Sequence, residues 1–149
     1  MTLDNIVVQD DSTCILKGTR TKGGVYVLTR ATLSANRVRI NGNIQAEGAR
    51  AVYVNPMSVV GGNIQLKQGA KAVVDQVQIG GDLQVEQNRG YITLTKNEID
   101  GNLQAFQNRG GVKISRNIIA ENLQCKENVP APTGGNNIAG SKEDQCANL

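Results

Sequence analysis

Residues 42–45 read Gly-Asn-Ile-Gln, and the same tetrapeptide returns at residues 62–65. Close variants follow at residues 81–84, 101–104 and 121–124, and fainter copies precede it at residues 4–7 and 23–26. The five clear copies begin 20, 19, 20 and 20 residues apart. Self-similarity at a fixed period of this length is the signature of a solenoid. We therefore predict about seven coils, which begin near residues 4, 23, 42, 62, 81, 101 and 121.

The period places aliphatic residues in constant columns, and side chains alternate between the two faces along a strand. The first strand of each coil is expected to point two columns inward: Ile6, Val25, Ile44, Ile64, Leu83, Leu103 and Leu123, then Val8, Val27, Ala46, Leu66, Val85, Ala105 and Cys125. The second strand supplies Cys14, Leu33, Val52, Ala72, Ile92 and Val112, then Leu16, Ala35, Val54, Val74, Leu94 and Ile114. The third supplies Ile40, Val60, Ile79, Ile99 and Ile119. Period-two alternation on three short faces predicts an all-β protein, a single-stranded parallel β-helix. Irregular coils with asparagine-rich corners favour right-handed winding.

Asparagine recurs at the corners of the coils. Asn97, Asn117 and Asn137 follow the period beside the third strand, where side-chain amides of successive coils can bond to one another. We expect them to form a structural ladder. Asn88 and Asn108, each followed by Arg-Gly, are expected at a turn that needs a left-handed residue.

The repeat breaks after Cys125, where proline and glycine replace the alternating second strand. We therefore divide the chain into a parallel β-helix over residues 1–139 and a polar C-terminal capping tail over residues 140–149. A disulfide between Cys125 and Cys146 would hold the tail on the last coil, contribute roughly 3 kcal/mol and imply an oxidising compartment. Cys14 is expected to stay a free thiol, buried as a small hydrophobic residue.

Three segments of the last coil and tail carry a resemblance: residues 122–128 (NLQCKEN), 130–135 (PAPTGG) and 142–146 (KEDQC). They resemble the ending of a group of uncharacterised bacterial secreted β-helix proteins, and residues 42–48 and 101–108 are similar to that group as well. The resemblance implies a right-handed β-helix that is exported by a signal peptide. It implies no activity and no catalytic residues.

The composition restricts the chemistry. The chain has no histidine, which excludes Ser-His and Cys-His nucleophilic sites and imidazole metal ligands. No phosphate-binding loop occurs, and we expect no cofactor, no metal and no enzyme activity. Asp82 and Asp100 are the candidate carboxylates for a carbohydrate-active alternative, but aspartate in place of asparagine at a turn is the favoured explanation.

Outward columns offer binding surfaces. We predict an amide row of Gln45, Gln65, Gln84, Gln104 and Gln124, flanked by Glu47, Lys67, Glu86, Phe106 and Lys126. Arg50, Arg89 and Arg109 form a further column at the turn after the first strand. The row can hydrogen-bond sugar hydroxyls, or it can bond only to itself.

Charge is uneven along the chain, because residues 17–39 hold six basic residues and no acidic one. Such a run attracts a polyanion or is simply a solvated surface. Aromatic residues make up only 3% of the chain, so we expect no nucleic-acid partner.

These features favour a non-catalytic secreted scaffold that either assembles with itself, as a dimer or filament, or binds an anionic surface polysaccharide. The alternative is a carbohydrate-active β-helix that binds or cleaves polysaccharide. We expect a secreted or periplasmic location and no membrane span, although residues 1–20 lack the layout of a signal peptide.

Overall fold

The computed structural model describes residues 2–149 and is all-β over that range. Three parallel sheets stack as a β-solenoid of about seven turns, and this confirms the predicted parallel β-helix. Each turn of the solenoid contributes one short strand to each sheet. The first sheet has eight strands and the other two have seven each.

The strands are short and follow the period of the sequence. The first sheet contains β2 (Ile6–Val8), β5 (Val25–Val27), β8 (Ile44–Glu47), β11 (Ile64–Lys67), β14 (Leu83–Glu86), β17 (Leu103–Phe106), β20 (Asn122–Lys126) and β22 (Ser141–Asp144). The second contains β3 (Thr13–Lys17), β6 (Thr32–Asn36), β9 (Ala51–Val54), β12 (Lys71–Asp75), β15 (Ile92–Thr95), β18 (Val112–Ser115) and β21 (Thr133–Gly135). The third contains β1 (Thr2–Leu3), β4 (Arg20–Thr21), β7 (Arg39–Ile40), β10 (Ser58–Val60), β13 (Val77–Ile79), β16 (Glu98–Ile99) and β19 (Ile118–Ile119).

The register of the sheets confirms the predicted inward columns. Along the first sheet the Cα partners run from Ile44 through Ile64 and Leu83 to Leu103, and each of these side chains is fully buried. All three sheets contribute to one continuous core along the axis. Burial of one such aliphatic side chain contributes roughly 1.5 to 3 kcal/mol, so the stack of coils and not any single coil supplies the stability.

Two corners of each coil contain a residue in the left-handed region. After the first strand these residues are Asp11, Arg30, Gly48, Gln68, Gln87, Gln107 and Glu127, and after the second they are Gly18, Arg37, Met57, Gln76, Lys96, Arg116 and Asn136. The left-handed residue beside Asn88 is therefore Gln87 (φ 54°), and the one beside Asn108 is Gln107 (φ 58°). The two asparagines do not adopt this conformation themselves, because they turn inward and are buried.

Two buried asparagine ladders run along the corners. The predicted ladder is confirmed: Asn97 and Asn117 are fully buried, and Asn117 Oδ1 accepts from both the N–H and the Nδ2 of Asn97 at 3.0 Å. Asn137 accepts from Asn117 in the same way. A second ladder, of Asn88, Asn108 and Asn128, occupies the corner after the first strand. Each Nδ2 also donates to a main-chain carbonyl, so these buried amides are fully satisfied.

The C-terminal tail adds a strand and then closes the end of the solenoid. Strand β22 pairs in parallel with β20, so the first sheet continues into the segment predicted as the tail. The predicted disulfide is present: Cys125 and Cys146 are bonded, fully buried and 5.4 Å apart at their Cα atoms.

Cys14 is a free cysteine, but it is only half-buried. It lies on β3, an edge strand of the second sheet, so no further coil covers it in the described residues. Desolvation raises the pKa of its thiol.

Candidate polymer-binding groove

The predicted amide row is a continuous hydrogen-bonded ladder on the outer face of the first sheet. Nε2 of each glutamine donates to Oε1 of the next, at 3.0 Å from Gln45 to Gln65 and 2.8 Å from Gln84 to Gln104. The side chains are half-buried. The ladder ends on a carboxylate, because Gln124 Nε2 donates to Glu143 Oε2 at 3.3 Å. Since an ionised carboxylate only accepts, Glu143 fixes the direction of every amide above it.

A second amide row, missed in the sequence, lies beside the first. Gln68 donates to Gln87 at 3.1 Å, Gln87 to Gln107 at 3.2 Å, and Gln107 to Glu127 at 2.8 Å. These are the left-handed corner residues, whose side chains are exposed. Their spacing of 19 and 20 residues was a readable signal, but the column contains Arg30 and Gly48 earlier in the chain.

The two rows border an open groove with a volume of about 1140 Å³. Its floor is the outer face of the first sheet, and one wall is the corner after that sheet. Among the sequence-predicted binding residues, those that line the groove are Gln45, Gln65, Arg89 and Arg109. The others, which lie outside the lining, are Gln84, Gln104, Gln124 and Arg50. The structure therefore brings together part of the predicted set.

Charges divide the groove along the solenoid axis. Carboxylates of Asp10 and Glu47 line the part nearer the first coils, whereas the guanidinium groups of Arg89 and Arg109 line the part nearer the tail. Main-chain bonds place Arg89 and Arg109 at the same corner position of successive coils, and Ala70 takes that position in the coil before them. The predicted arginine column is thus interrupted between Arg50 and Arg89.

Two further side chains shape the groove. Lys67 lies in it and pairs with Glu86 at 4.0 Å, on the next strand of the first sheet. Tyr26 occupies the position before Gln45 in the first amide row and is half-buried. It provides an aromatic ring at the end of the row, the kind of surface on which a sugar ring packs. Composition alone did not single it out.

The carboxylates considered for catalysis, Asp82 and Asp100, both lie outside the strands, at turns of the coils. Asp82 Oδ1 accepts from the N–H of Asn102 at 2.7 Å, which is the bond that Asn63 Oδ1 makes with the N–H of Asp82 one coil earlier. Asp82 therefore acts as the asparagine of its column, and Asp100 is exposed at the neighbouring corner. Over residues 2–149, no cluster of three or more His, Cys, Asp or Glu side chains is arranged to hold a metal ion.

Comparison with protein-family models, with curated proteins and with solved structures finds no match to this chain. The resemblance to secreted bacterial β-helix proteins stays a prediction. In the part of the chain that the structure describes, no helix has the length and apolar character needed to cross a membrane.

Proposed function

We propose that this protein is a non-catalytic secreted scaffold that binds a linear anionic surface polysaccharide along the groove. The observation that carries the proposal is the pair of parallel amide rows on an open groove that also contains Arg89 and Arg109. Polar and charged groups that converge in a concave surface fix the orientation of a ligand and provide specificity.

The amide rows keep hydrogen-bonding capacity after the ladder has formed. A primary amide has two N–H donors and two acceptor lone pairs, and each ladder bond uses one of each. The second donor and the second lone pair of Gln65, for example, remain available in the groove. Because neighbouring strands lie about 4.8 Å apart, a polymer that follows the axis meets the same pair of groups at every coil.

The arginines select an acidic polymer. A guanidinium group binds a carboxylate through two parallel hydrogen bonds, and these charge-assisted bonds are stronger than neutral ones. Arg89 and Arg109 are exposed and lie in successive coils, so they match two acidic groups along one chain. Asp10 and Glu47 repel acidic groups from the other half of the groove, which fits a polymer with neutral as well as acidic sugars.

A secreted or periplasmic location is part of the proposal. A buried disulfide such as Cys125–Cys146 forms and persists in oxidising compartments and is rare in the cytosol. Surface polysaccharides occur in those same compartments.

Binding is tested by isothermal titration with partly methyl-esterified polygalacturonate, which contains neutral as well as acidic sugars, and with a neutral glucan as a second ligand. The expected result is binding of polygalacturonate that weakens at least about tenfold in Arg89→Gln/Arg109→Gln, since each lost charge-assisted bond contributes about 1.5 to 3 kcal/mol. The matched control is Lys96→Gln/Arg116→Gln, which removes two charges at another corner. Equal weakening in both variants would mean general charge attraction and would contradict a site in the groove.

The carbohydrate-active alternative is tested on the same polymers. Product formation by the native protein, lost in Glu47→Gln or Asp10→Asn, would replace the binding proposal with a cleavage mechanism in the groove. The same assay on Asp82→Ala and Asp100→Ala tests the two carboxylates that the sequence suggested. We expect no product from any of these proteins.

Self-assembly is a second candidate function, favoured by apolar exposure at the first coil. Leu3 is 37% exposed, Val7 48% and Ile15 63%. Strands β1, β2 and β3 are each an edge strand of their sheet in the described residues. The main-chain groups on the outer side of these strands therefore have no strand partner there. Light scattering tests this directly: a dimer or filament that becomes monomeric in Val7→Lys/Ile15→Lys supports assembly through the first coil, and a monomeric native protein contradicts it.

A further inference from the structure

Five basic side chains of the first two coils cluster between the end of the second sheet, at Lys17, and Lys22, which follows β4 of the third sheet. This basic corner consists of Lys17, Arg20, Lys22, Arg37 and Arg39, all exposed. The corner between the second and third sheets is the one that the first sheet does not border. Except for Lys22, the basic corner therefore lies away from the first sheet and its groove.

Sheet register brings the charges together. Arg20 and Arg39 are Cα partners on β4 and β7, and both point outward because the residues that follow them are buried. Arg37 precedes this pair at the left-handed corner position, with φ 52°. Adjacent strands lie about 4.8 Å apart, so the Cα atoms of Arg20 and Arg39 are separated by about that distance.

No carboxylate neutralises the basic corner. The ion pairs within 4.0 Å in the described residues are Arg30–Asp11, Lys67–Glu86 and Lys126–Asp144, and none includes a member of the cluster. Asp4 lies on the coil beside Lys22, without an ion pair between them. Like charges at facing positions of neighbouring strands are destabilising, so the Arg20–Arg39 pair opposes folding unless an anion is bound.

The cluster is local to these coils. One coil further along, Met57 and Val59 take the positions of Arg37 and Arg39. A short, dense group of cations fits a ligand whose charges are as close together as its own, about one every 5 Å. Carboxylated polysaccharides with one charge per several sugars are less dense than this, whereas a chain of phosphate groups is at least as dense.

We infer that the basic corner binds a flexible phosphate-rich chain. Arg20 and Arg39 offer planar forks that hydrogen-bond phosphate oxygens in pairs, and Lys17, Lys22 and Arg37 add point charges around the corner. The corner is convex and extends over two faces, so a flexible chain follows it while a flat membrane contacts one face at a time. It contains no aromatic side chain on which bases stack, which separates this ligand from a nucleic acid.

This site is independent of the groove, and the two together would let one molecule bridge two different polymers. The proposal does not depend on polysaccharide binding, and the variants differ. Arg89→Gln/Arg109→Gln should leave phosphate-chain binding unchanged, and Arg20→Gln/Arg39→Gln should leave polygalacturonate binding unchanged.

The test measures binding of long-chain inorganic polyphosphate by fluorescence anisotropy over a series of salt concentrations. For Arg20→Gln/Arg39→Gln we expect an affinity at least about tenfold lower and a slope of log K against log salt that is smaller by about 1.4, or about 0.7 for each lost contact. Glutamine is native at position 78 of the Arg39 column, so the substitution suits the local backbone. The matched control is Lys96→Gln/Arg116→Gln, on the same corner further along the axis, which should bind as the native protein does.

The inference would be overturned if the native protein did not bind polyphosphate, or if the basic-corner variant and its control lost the same affinity for it. It would also be overturned if the native protein bound anionic phosphatidylserine vesicles but not polyphosphate, and the basic-corner variant no longer bound the vesicles. The last result would assign the corner to a membrane surface.

Discussion

Replacing Asn117 by alanine tests how the buried ladders stabilise the solenoid. The substitution removes four hydrogen bonds: two that Asn117 Oδ1 accepts from Asn97, one that its Nδ2 donates to the Leu94 carbonyl, and one that its Nδ2 donates to Asn137. Two N–H groups of Asn97 then have no acceptor in a site with no solvent exposure.

The expected cost follows from those two donors. A buried donor without an acceptor costs about 1 to 3 kcal/mol, so Asn117→Ala should lower the free energy of unfolding by about 4 kcal/mol. Val38→Ala is the control, because Val38 occupies the same column and is fully buried, but carries no side-chain hydrogen bonds. Loss of its two methyl groups should cost about 2 kcal/mol.

Urea denaturation measures both costs, and amide hydrogen exchange localises the effect. The N–H of Asn97 loses its acceptor, whereas the N–H of Asn117 keeps Asn137 Oδ1 as a partner. Exchange should therefore accelerate more at residue 97 than at residue 117. In the double variant Asn97→Ala/Asn117→Ala the cost should be less than the sum of the single costs, because one orphaned donor is removed with its side chain. If Asn117→Ala costs no more than Val38→Ala and the two amides respond alike, the ladder is not held by hydrogen bonds in the way argued.

Three further outcomes are expected. Cys146→Ser should lower the free energy of unfolding by about 3 kcal/mol in the absence of reductant, and the unfolded, unreduced native protein should titrate with a single free thiol, that of Cys14; three free thiols would refute the disulfide. Gly110→Ala should be strongly destabilising in thermal unfolding, because a Cβ there would lie 2.3 Å from two main-chain carbonyl oxygens of the preceding coil. The Arg30 guanidinium donates to Asp11 and holds the pKa of that carboxyl below its ordinary value. The pair therefore stabilises the fold above the ordinary aspartate pKa of about 3.9, and that contribution is lost as the pH falls. In an NMR titration of Arg30→Gln the Asp11 pKa should return toward that value, and an unchanged pKa would exclude Arg30 as the cause of the shift.

Most of the fold was readable from the sequence because the coils repeat their inward residues. Ile44 and Ile64 are 20 residues apart, and the Cα register joins these same two residues. A period of two within each strand then fixes which side chains face the core, since a slip by one residue would turn them all outward. The disulfide was predicted from the same columns, because Cys125 occupies an inward position in the last coil.

The corners were less readable, because a repeated pair of residues does not show which member turns inward. Gln87 and Asn88 recur together as Gln107 and Asn108, and the sequence suggested a role for the asparagines in the turn itself. The structure assigns the left-handed conformation to the glutamines and burial to the asparagines. Exposed left-handed glutamines create the second amide row, so this border of the groove was missed for the same physical reason.

The tail shows how a ladder of amides can end without an orphaned group. Without the tail, the N–H of the last asparagine in each buried ladder would have no acceptor, and its Nδ2 would keep only its bond to a main-chain carbonyl. Gln145 Oε1 accepts both groups of Asn128 at 2.9 Å, and the Leu149 carbonyl accepts both groups of Asn137 at 3.0 and 2.9 Å.

Each tail acceptor reproduces the geometry that another asparagine would have supplied, which is why no eighth asparagine coil is needed. The two surface glutamine rows end in the corresponding way on Glu143 and Glu127. Since the buried ladders and the surface rows all donate toward the tail, the acceptors at that end orient the amides of the whole solenoid. The disulfide that holds Gln145 beside Asn128 therefore stabilises more than the last coil: it keeps in place an acceptor on which the order of an entire ladder depends.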